Sequence, residues 1–163
     1  MNNHLPTDYQ SFIHKSRYAK YYEGDGRESW ENTIERYSAN VIRDLVDQNT
    51  KYELEQAILG LEVMPSMRSL MTAGKAADRD NTCMYNCSYL AVDDVKAFDE
   101  AMFILLCGTG VGFSVERQSV QKLPEVPELL YESETTIVVK DSKEGWAKSL
   151  RQMVALLYSG EIP

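Results

Sequence analysis

The sequence predicts an α/β fold, with a helical N-terminal region over residues 1–60 and a strand-containing region over residues 61–163. Two observations favour this fold. Apolar residues recur at intervals of three and four in the first sixty residues, which indicates amphipathic helices. The later residues read in the order strand, helix, strand, loop, strand, helix, which is typical of parallel strands joined by crossovers.

Composition limits the classes of protein to consider. The chain has 163 residues, 44% of them hydrophobic, which suits one domain or a contiguous part of a larger one. A net charge of -8 with no cluster of Lys and Arg argues against nucleic-acid binding. The odd number of cysteines, three, and the lack of a signal peptide or a long apolar run predict a cytoplasmic protein that is not inserted in a membrane.

The N-terminal region is expected to be an arm followed by two helices. Residues 1–26, rich in Tyr, charge and Gly, predict a surface arm that ends in a turn around Gly24 and Gly26. Apolar spacing predicts one helix from about Glu28 to Gln48. A capping box of Thr50 and Glu53 then predicts a second helix, which runs through Leu59 and ends at Gly60.

The character of the sequence changes after Leu61. Residues 62–86 show no helical period and predict a loop, and CSYLAV at 87–92 predicts a strand. Asp93 and Asp94 are expected to cap a helix that reaches Cys107.

Three further elements are expected after this helix. VGFSV at 111–115 predicts a buried strand, and the β-branched run TTIVVK at 135–140 predicts another. The segment 116–134 contains two prolines and cannot be one continuous element. Asp141 with Glu144 is expected to begin a final helix, which Gly160 ends.

The glycines at 108, 110 and 112 are compatible with two interpretations. They follow a helix and precede a strand, the reverse of a dinucleotide-binding fingerprint, and no P-loop lysine accompanies them. A tight turn and a loop that faces a ligand account for them about equally well.

Cysteines and small hydroxyl residues are the other candidates for chemistry. Cys83 and Cys87 lack enough partners for a zinc site, since only Cys107, His4 and His14 remain, so no metal is expected. The three cysteines are either small buried hydrophobes or redox thiols, and a redox role requires a second thiol within disulfide reach. The hydroxyls and Arg68 of MPSMRSLMTAG, residues 64–74, suit a sugar or a phosphate, although ordinary loop composition explains them more simply.

Four stretches, in their order and spacing, resemble the large subunit of adenosylcobalamin-dependent ribonucleotide reductases. They are FIHKSRYAKYYEGDGRESWENTIERY (12–37), MPSMRSLMTAG (64–74), YNCSYLAVDDVKAFDEAMFILLCGTGVGFSVERQ (85–118) and VVKDSKEGWAKSL (138–150). The resemblance extends from about Phe12 to Pro163. It implies a ten-stranded α/β barrel made of two five-stranded halves, of which this chain would hold the helical region and the first strands.

The resemblance also implies roles for individual residues. Cys87 matches the first cysteine of the pair that reduces the substrate and becomes a disulfide. Asn86, Pro65 and Ser66 match positions near the substrate ribose and phosphates. The family's glycine run close to the substrate is matched by Gly108, Gly110 and Gly112. Asp94 and Arg117 match positions near the allosteric nucleotide.

The implied activity is reduction of ribonucleotides to deoxyribonucleotides for DNA synthesis by thiyl-radical chemistry, with adenosylcobalamin as cofactor. The implied partners are the ribonucleotide substrate, a nucleotide effector, the remainder of the barrel and a thioredoxin-type reductant. A variant of this chemistry takes its radical from a separate metal-containing subunit. The radical-forming cysteine and the partner of Cys87 are expected beyond residue 163, so the chain is not expected to turn over alone. The alternative is a non-catalytic fragment that binds a nucleotide or a complementing chain.

Overall fold

The computed structural model describes residues 4–163, which form two compact units, one ending at Tyr85 and one spanning Asn86–Pro163. The first unit contains α1 (Asp8–Ile13), a π-helical turn (His14–Tyr18), β1 (Tyr21–Tyr22), β2 (Gly26–Arg27), α2 (Trp30–Tyr37), a second π-helical turn (Ser38–Ile42), α3 (Gln48–Leu59), α4 (Met67–Thr72), α5 (Lys75–Arg79) and a 3-10 turn (Asn81–Met84). The second contains β3 (Cys87–Ala91), α6 (Ala97–Leu106), β4 (Gly110–Ser114), α7 (Arg117–Val120), β5 (Tyr131–Glu132), α8 (Lys143–Tyr158) and β6 (Glu161–Ile162). Among residues 4–163, no helix combines the length and the apolar content that crossing a bilayer requires.

The N-terminal segment is helical, so the prediction of a surface arm is wrong for its described part; residues 1–3 lie outside the described residues. The cause is a capping box: Thr7 Oγ1 accepts from Gln10 N, and Gln10 Oε1 accepts from Thr7 N. The helix that this box begins leads into a π-helical turn that buries His14. The predicted turn at Gly24 and Gly26 is confirmed: Gly24, with a φ of +92°, lies between β1 and β2, and Gly26, with a φ of +79°, begins β2.

The single helix predicted from Glu28 to Gln48 is also wrong. After the π-helical turn at Ser38–Ile42 the helix stops at Arg43, whose φ is +49°. Asp47 caps α3 by accepting hydrogen bonds from Asn49 N and Thr50 N, so the predicted Thr50–Glu53 capping box is wrong by one turn. The predicted end of this helix at Gly60 is confirmed.

The core of the first unit joins the N-terminal segment to three of its helices. Its buried side chains are Leu5, Trp30, Ile34, Ile58 and Leu70. Trp30 is 1% exposed, and its indole N–H donates to Leu59 O at 3.2 Å, so that the ring is buried without losing its hydrogen bond. Each such apolar side chain stabilises the fold by about 1.5–3 kcal/mol relative to full exposure.

The loop predicted for residues 62–86 contains two short helices, α4 and α5, and a 3-10 turn, so the prediction is wrong for these residues. Ser66 caps α4 by accepting from Ser69 N at 3.3 Å, and Leu70 is fully buried. At six residues, α4 is too short to display a helical period in the sequence.

The second unit confirms the prediction of parallel strands joined through a helix. β3 pairs with β4 in parallel, and α6 lies between them in the chain. The helix begins at Ala97 rather than directly after Asp94, because Asp94 closes a preceding turn by accepting from Lys96 N and Ala97 N. β4 is largely exposed, so the expectation of a buried strand is wrong.

The strand predicted at residues 135–140 is absent, which corrects that prediction. The segment has no regular secondary structure, and Ile137 and Val139 line a cavity of about 310 Å³ with Trp146 and Met153 of α8. The actual pair is β5 with β6, in parallel.

The start of the last helix also differs from the prediction. Ser142 caps α8 through its hydrogen bond from Gly145 N, in place of the predicted Asp141 and Glu144. The end at Gly160 is confirmed, with a φ of +88°. With three two-stranded sheets described, the ten-stranded barrel stays a prediction.

Candidate active site around Cys87

Cys87 is the first residue of β3, and its thiol is free and exposed. Its partner in the parallel register is Gly110, and Gly110 N donates to Asn86 O at 2.9 Å. Ser88 Oγ donates to Gly110 O at 3.1 Å. The backbone on both sides of Cys87 is therefore fixed to β4, while its sulfur stays accessible to solutes.

The glycine run divides into a turn and part of a strand, so the turn is confirmed for Gly108, while the interpretation that the run faces a ligand stays a prediction. Gly108 has a φ of +83° and makes the turn that ends α6. Gly110 and Gly112 lie within β4, opposite Cys87 and Tyr89. A Cβ at Gly110 would lie 4.0 Å from Cys87 Sγ, and one at Gly112 would lie 3.9 Å from Tyr89 Cδ2. The absent side chains leave open surface beside both residues.

The two faces of the β3–β4 pair differ in character. Side chains alternate along a strand, and residues paired across parallel strands share a face. One face thus carries Cys87 and Tyr89 beside the two glycines, and the other carries Leu90 beside Phe113. We call the first the thiol face, defined by Cys87, Tyr89, Gly110 and Gly112.

The turn beneath β4 is anchored to α8. Cys107, 8% exposed, accepts a hydrogen bond from Lys143 Nζ at 3.1 Å, and the same ammonium lies 5.3 Å from the centre of the Phe103 ring. The next residue but one, Thr109, is almost fully buried. Cys107 therefore behaves as a packed residue with a polar contact, in contrast to the exposed Cys87.

An ion pair joins the long helices of this unit. Arg151 of α8 donates from Nε and Nη2 to Asp99 Oδ2 of α6, at 2.8 and 2.5 Å. The hydrogen bonds that Arg151 donates to this carboxylate, followed by the negative charge of Asp99, raise the pKa of Arg151. Asp99 is buried and its Oδ1 has no partner among the described residues, so the contact with Arg151 compensates only part of the cost of burying this carboxylate.

Pro65 and Ser66, which the resemblance matches to positions near the substrate ribose and phosphates, belong to the first unit. Ser66 Oγ already accepts from Ser69 N, and Thr72 Oγ1 donates to Arg68 O at 2.6 Å. Two hydroxyls of the MPSMRSLMTAG stretch are thus used within α4, and the Ser66 hydroxyl still has its proton to donate.

A buried ionic network holds the other end of α4. Arg36 Nη1 donates to Leu70 O and Ala73 O at 2.7 and 3.1 Å, and Lys20 Nζ donates to Ala73 O at 2.5 Å. The guanidinium of Arg36 also pairs with buried Glu28. These cations satisfy carbonyl groups that the end of a helix leaves unpaired.

The ionisation of Glu28 and Lys20 reflects this network. Burial acts to raise the pKa of Glu28, but hydrogen bonds from Arg36, Lys20 N and Thr33 together lower it below its ordinary value. Burial, followed by the charge of Arg36, lowers the pKa of Lys20.

The two predicted effector residues are both exposed. Asp94 Oδ1 accepts from Lys96 N at 2.8 Å, before α6, and Arg117 is the first residue of α7. No group of three or more His, Cys, Asp or Glu suited to a metal ion occurs within residues 4–163.

Sequence reasoning missed Tyr89 and the contact between Lys143 and Cys107. The signal for Tyr89 was present, since a residue two positions along a strand shares the face of Cys87. The contact with Lys143 joins residues 36 apart, and no local pattern indicates it.

Comparison with known proteins gives one distant relative. Over an alignment of 174 positions, the chain is 28% identical to an adenosylcobalamin-dependent ribonucleoside-triphosphate reductase of Lacticaseibacillus paracasei. The alignment covers 85% of this chain but 23% of the relative, so the chain spans about a quarter of that protein's length. No family model and no solved structure matches the chain. The chain is thus similar, at low identity, to one segment of that ribonucleotide reductase.

Proposed function

We propose that this chain is the N-terminal part of an adenosylcobalamin-dependent ribonucleotide reductase catalytic subunit, and that Cys87 is one of the two thiols that reduce the substrate. The proposal is supported by the distant similarity to such a reductase and by the environment of Cys87. The free thiols suit a reducing compartment, and we place the protein in the cytoplasm.

The exposed thiol of Cys87 beside the two glycines of β4, Gly110 and Gly112, is the observation that carries this proposal. Replacing a 2′-hydroxyl by hydrogen releases water and requires two electrons. Two thiols supply these electrons and two protons as they form one disulfide, so the reaction is balanced without a further reductant. Glycines at 110 and 112 leave room for a sugar above β4, next to the sulfur.

The remaining residue roles are carried over from the family resemblance. Asn86 and the glycines at 108, 110 and 112 would contact the substrate near Cys87. Pro65 and Ser66 keep the substrate-binding role that the resemblance implies. Asp94 and Arg117 would contact an effector nucleotide. Their exposure is compatible with these roles.

The cofactor assignment rests on the similarity to an adenosylcobalamin-dependent reductase. The cavities described in this chain reach about 480 Å³, the size that suits a drug-sized ligand, whereas adenosylcobalamin is a much larger corrinoid. The described residues thus do not fit the cofactor by themselves. What this chain itself contributes is the thiol and the surface beside it.

Complementation tests the proposal. The chain is co-produced with the part of the Lacticaseibacillus reductase that lies beyond the aligned segment, and formation of deoxyribonucleotides is measured with a thioredoxin-type reductant. We expect activity from the wild-type chain, loss of turnover with Cys87→Ser, and retained turnover with Cys83→Ser. Equal loss from both substitutions would contradict the role of Cys87.

A further inference from the structure

We propose that Tyr89 is a substrate-binding residue that stacks on the nucleotide base while the ribose lies over Cys87. The inference rests on the proposed function, because it assumes that a ribonucleotide lies on the thiol face. It adds a base-recognition contact to that site.

The geometry of the thiol face supports this assignment. Cys87 and Tyr89 are two residues apart on β3 and therefore about 6.6 Å apart along the strand, on the same side. The ribose and base of a nucleoside are directly bonded rings, so a ribose at Cys87 brings its base within reach of the neighbouring side chain. Gly112, opposite Tyr89, has no side chain to cover the ring.

Tyr89 is 70% exposed, which leaves the face of its ring available. An aromatic ring stacks on any base, because every base has a π face, and such contacts account for about 1–3 kcal/mol per base. The two groups together match the two ends of a nucleoside: the thiol faces the sugar and the aromatic ring faces the base.

Phe113 provides a matched control. It is 65% exposed and lies on the same strand pair, but its register with Leu90 places it on the opposite face. If exposed aromatic residues of this sheet merely serve general packing, substitutions of Tyr89 and Phe113 should act alike. If Tyr89 stacks on the base, only its substitution should affect nucleotide binding at Cys87.

The experiment measures how well ligands protect Cys87 from alkylation in the full chain. Iodoacetamide modification of the peptide that contains Cys87 is followed by mass spectrometry, with a ribonucleoside 5′-phosphate or ribose 5-phosphate as the protecting ligand. For the wild type, we expect the nucleotide to protect at about tenfold lower concentration than the base-free sugar phosphate. Tyr89→Leu, which keeps apolar bulk, should abolish this difference, whereas Tyr89→Phe and Phe113→Leu should retain it.

The outcomes separate the two proposals. Failure of both ligands to protect wild-type Cys87 would overturn the proposed function, and the base contact with it. Equal protection by the two ligands in the wild type, or a full nucleotide advantage in Tyr89→Leu, would overturn the role of Tyr89 alone. Loss of the advantage in Phe113→Leu would also overturn it, since the effect would then belong to the sheet and not to one face.

Discussion

The imidazole ring of His14 lies inside the first unit. Its Nε2 is 2.8 Å from Thr33 Oγ1, and the ring packs edge-on against Trp30 with 5.4 Å between centres. Burial, partly offset by the charge of Glu28, lowers the pKa of His14 below its ordinary value of 6.5. The folded state therefore favours the neutral ring.

This environment predicts a pH dependence of stability. Between the lowered pKa of the folded state and 6.5, the unfolded state binds more protons, so the free energy of unfolding falls as the pH falls below about 6.5. Thermal unfolding followed across this range should show the loss in the wild type and a smaller loss in His14→Gln. Identical pH profiles for the two proteins would contradict the prediction.

The sequence predicts part of the candidate site, and the limits are physical. Cys87 and the glycines can be identified as candidate site residues because each lies in a short, continuous sequence motif. That Gly110 lies opposite Cys87 depends on the register of two strands separated by a helix. The contact of Lys143 with Cys107 depends on tertiary packing. The sequence thus predicts which residues belong to the candidate site, but not which of them lie next to each other in the fold.

Among the elements, β3, α6 and α8 are predicted close to their observed bounds, because each has a clear period and flanking polar residues. α1 and α4 are missed because both are six residues long and begin at local caps, Thr7 with Gln10 for α1 and Ser66 for α4. The run at 135–140 shows the opposite error. Its β-branched composition suits an extended chain, but strand formation also needs a neighbour, and here the segment packs by its side chains.

The first turn of α8 is the element-scale feature most sensitive to substitution. A Cβ at Gly145 would lie 2.2 Å from Lys140 O and 2.8 Å from Lys140 Cβ. Gly145→Ala should therefore displace the segment before α8 and destabilise the second unit by about 1–3 kcal/mol. Gly112→Ala is the control, because its nearest neighbours, at 3.6 and 3.9 Å, are at ordinary contact distances. Equal unfolding midpoints in denaturant for Gly145→Ala and the wild type would refute the clash.

At the scale of the whole molecule, the two units differ in how completely they bury their large apolar side chains. The first buries a cluster of large side chains around Trp30, whereas the second exposes Tyr89 and Phe113 on opposite faces of a two-stranded parallel sheet. Parallel sheets in globular proteins are normally covered on both faces. The proposed barrel would supply such cover to the β3–β4 pair.

Hydrogen exchange should reveal this difference. We expect the amides of β3 and β4 to exchange faster than those of α2, because their hydrogen bonds lie in an exposed pair of strands. Mass spectrometry of peptides from both regions measures the rates, with the unfolded chain as the reference. Protection of β3 and β4 equal to that of α2 would show that the strand pair is stable by itself.

The two tryptophans are divided between the units. Trp30, with its indole N–H bonded to a carbonyl, is sealed in the first, and Trp146 is 48% exposed in the second. Each unit consequently carries its own intrinsic fluorophore. Trp30 is buried, so blue-shifted emission is expected from it, whereas Trp146 is partly exposed to solvent. A chain with Trp146→Phe would report on the first unit alone, and the spectrum of the natural chain is the sum of two separable signals.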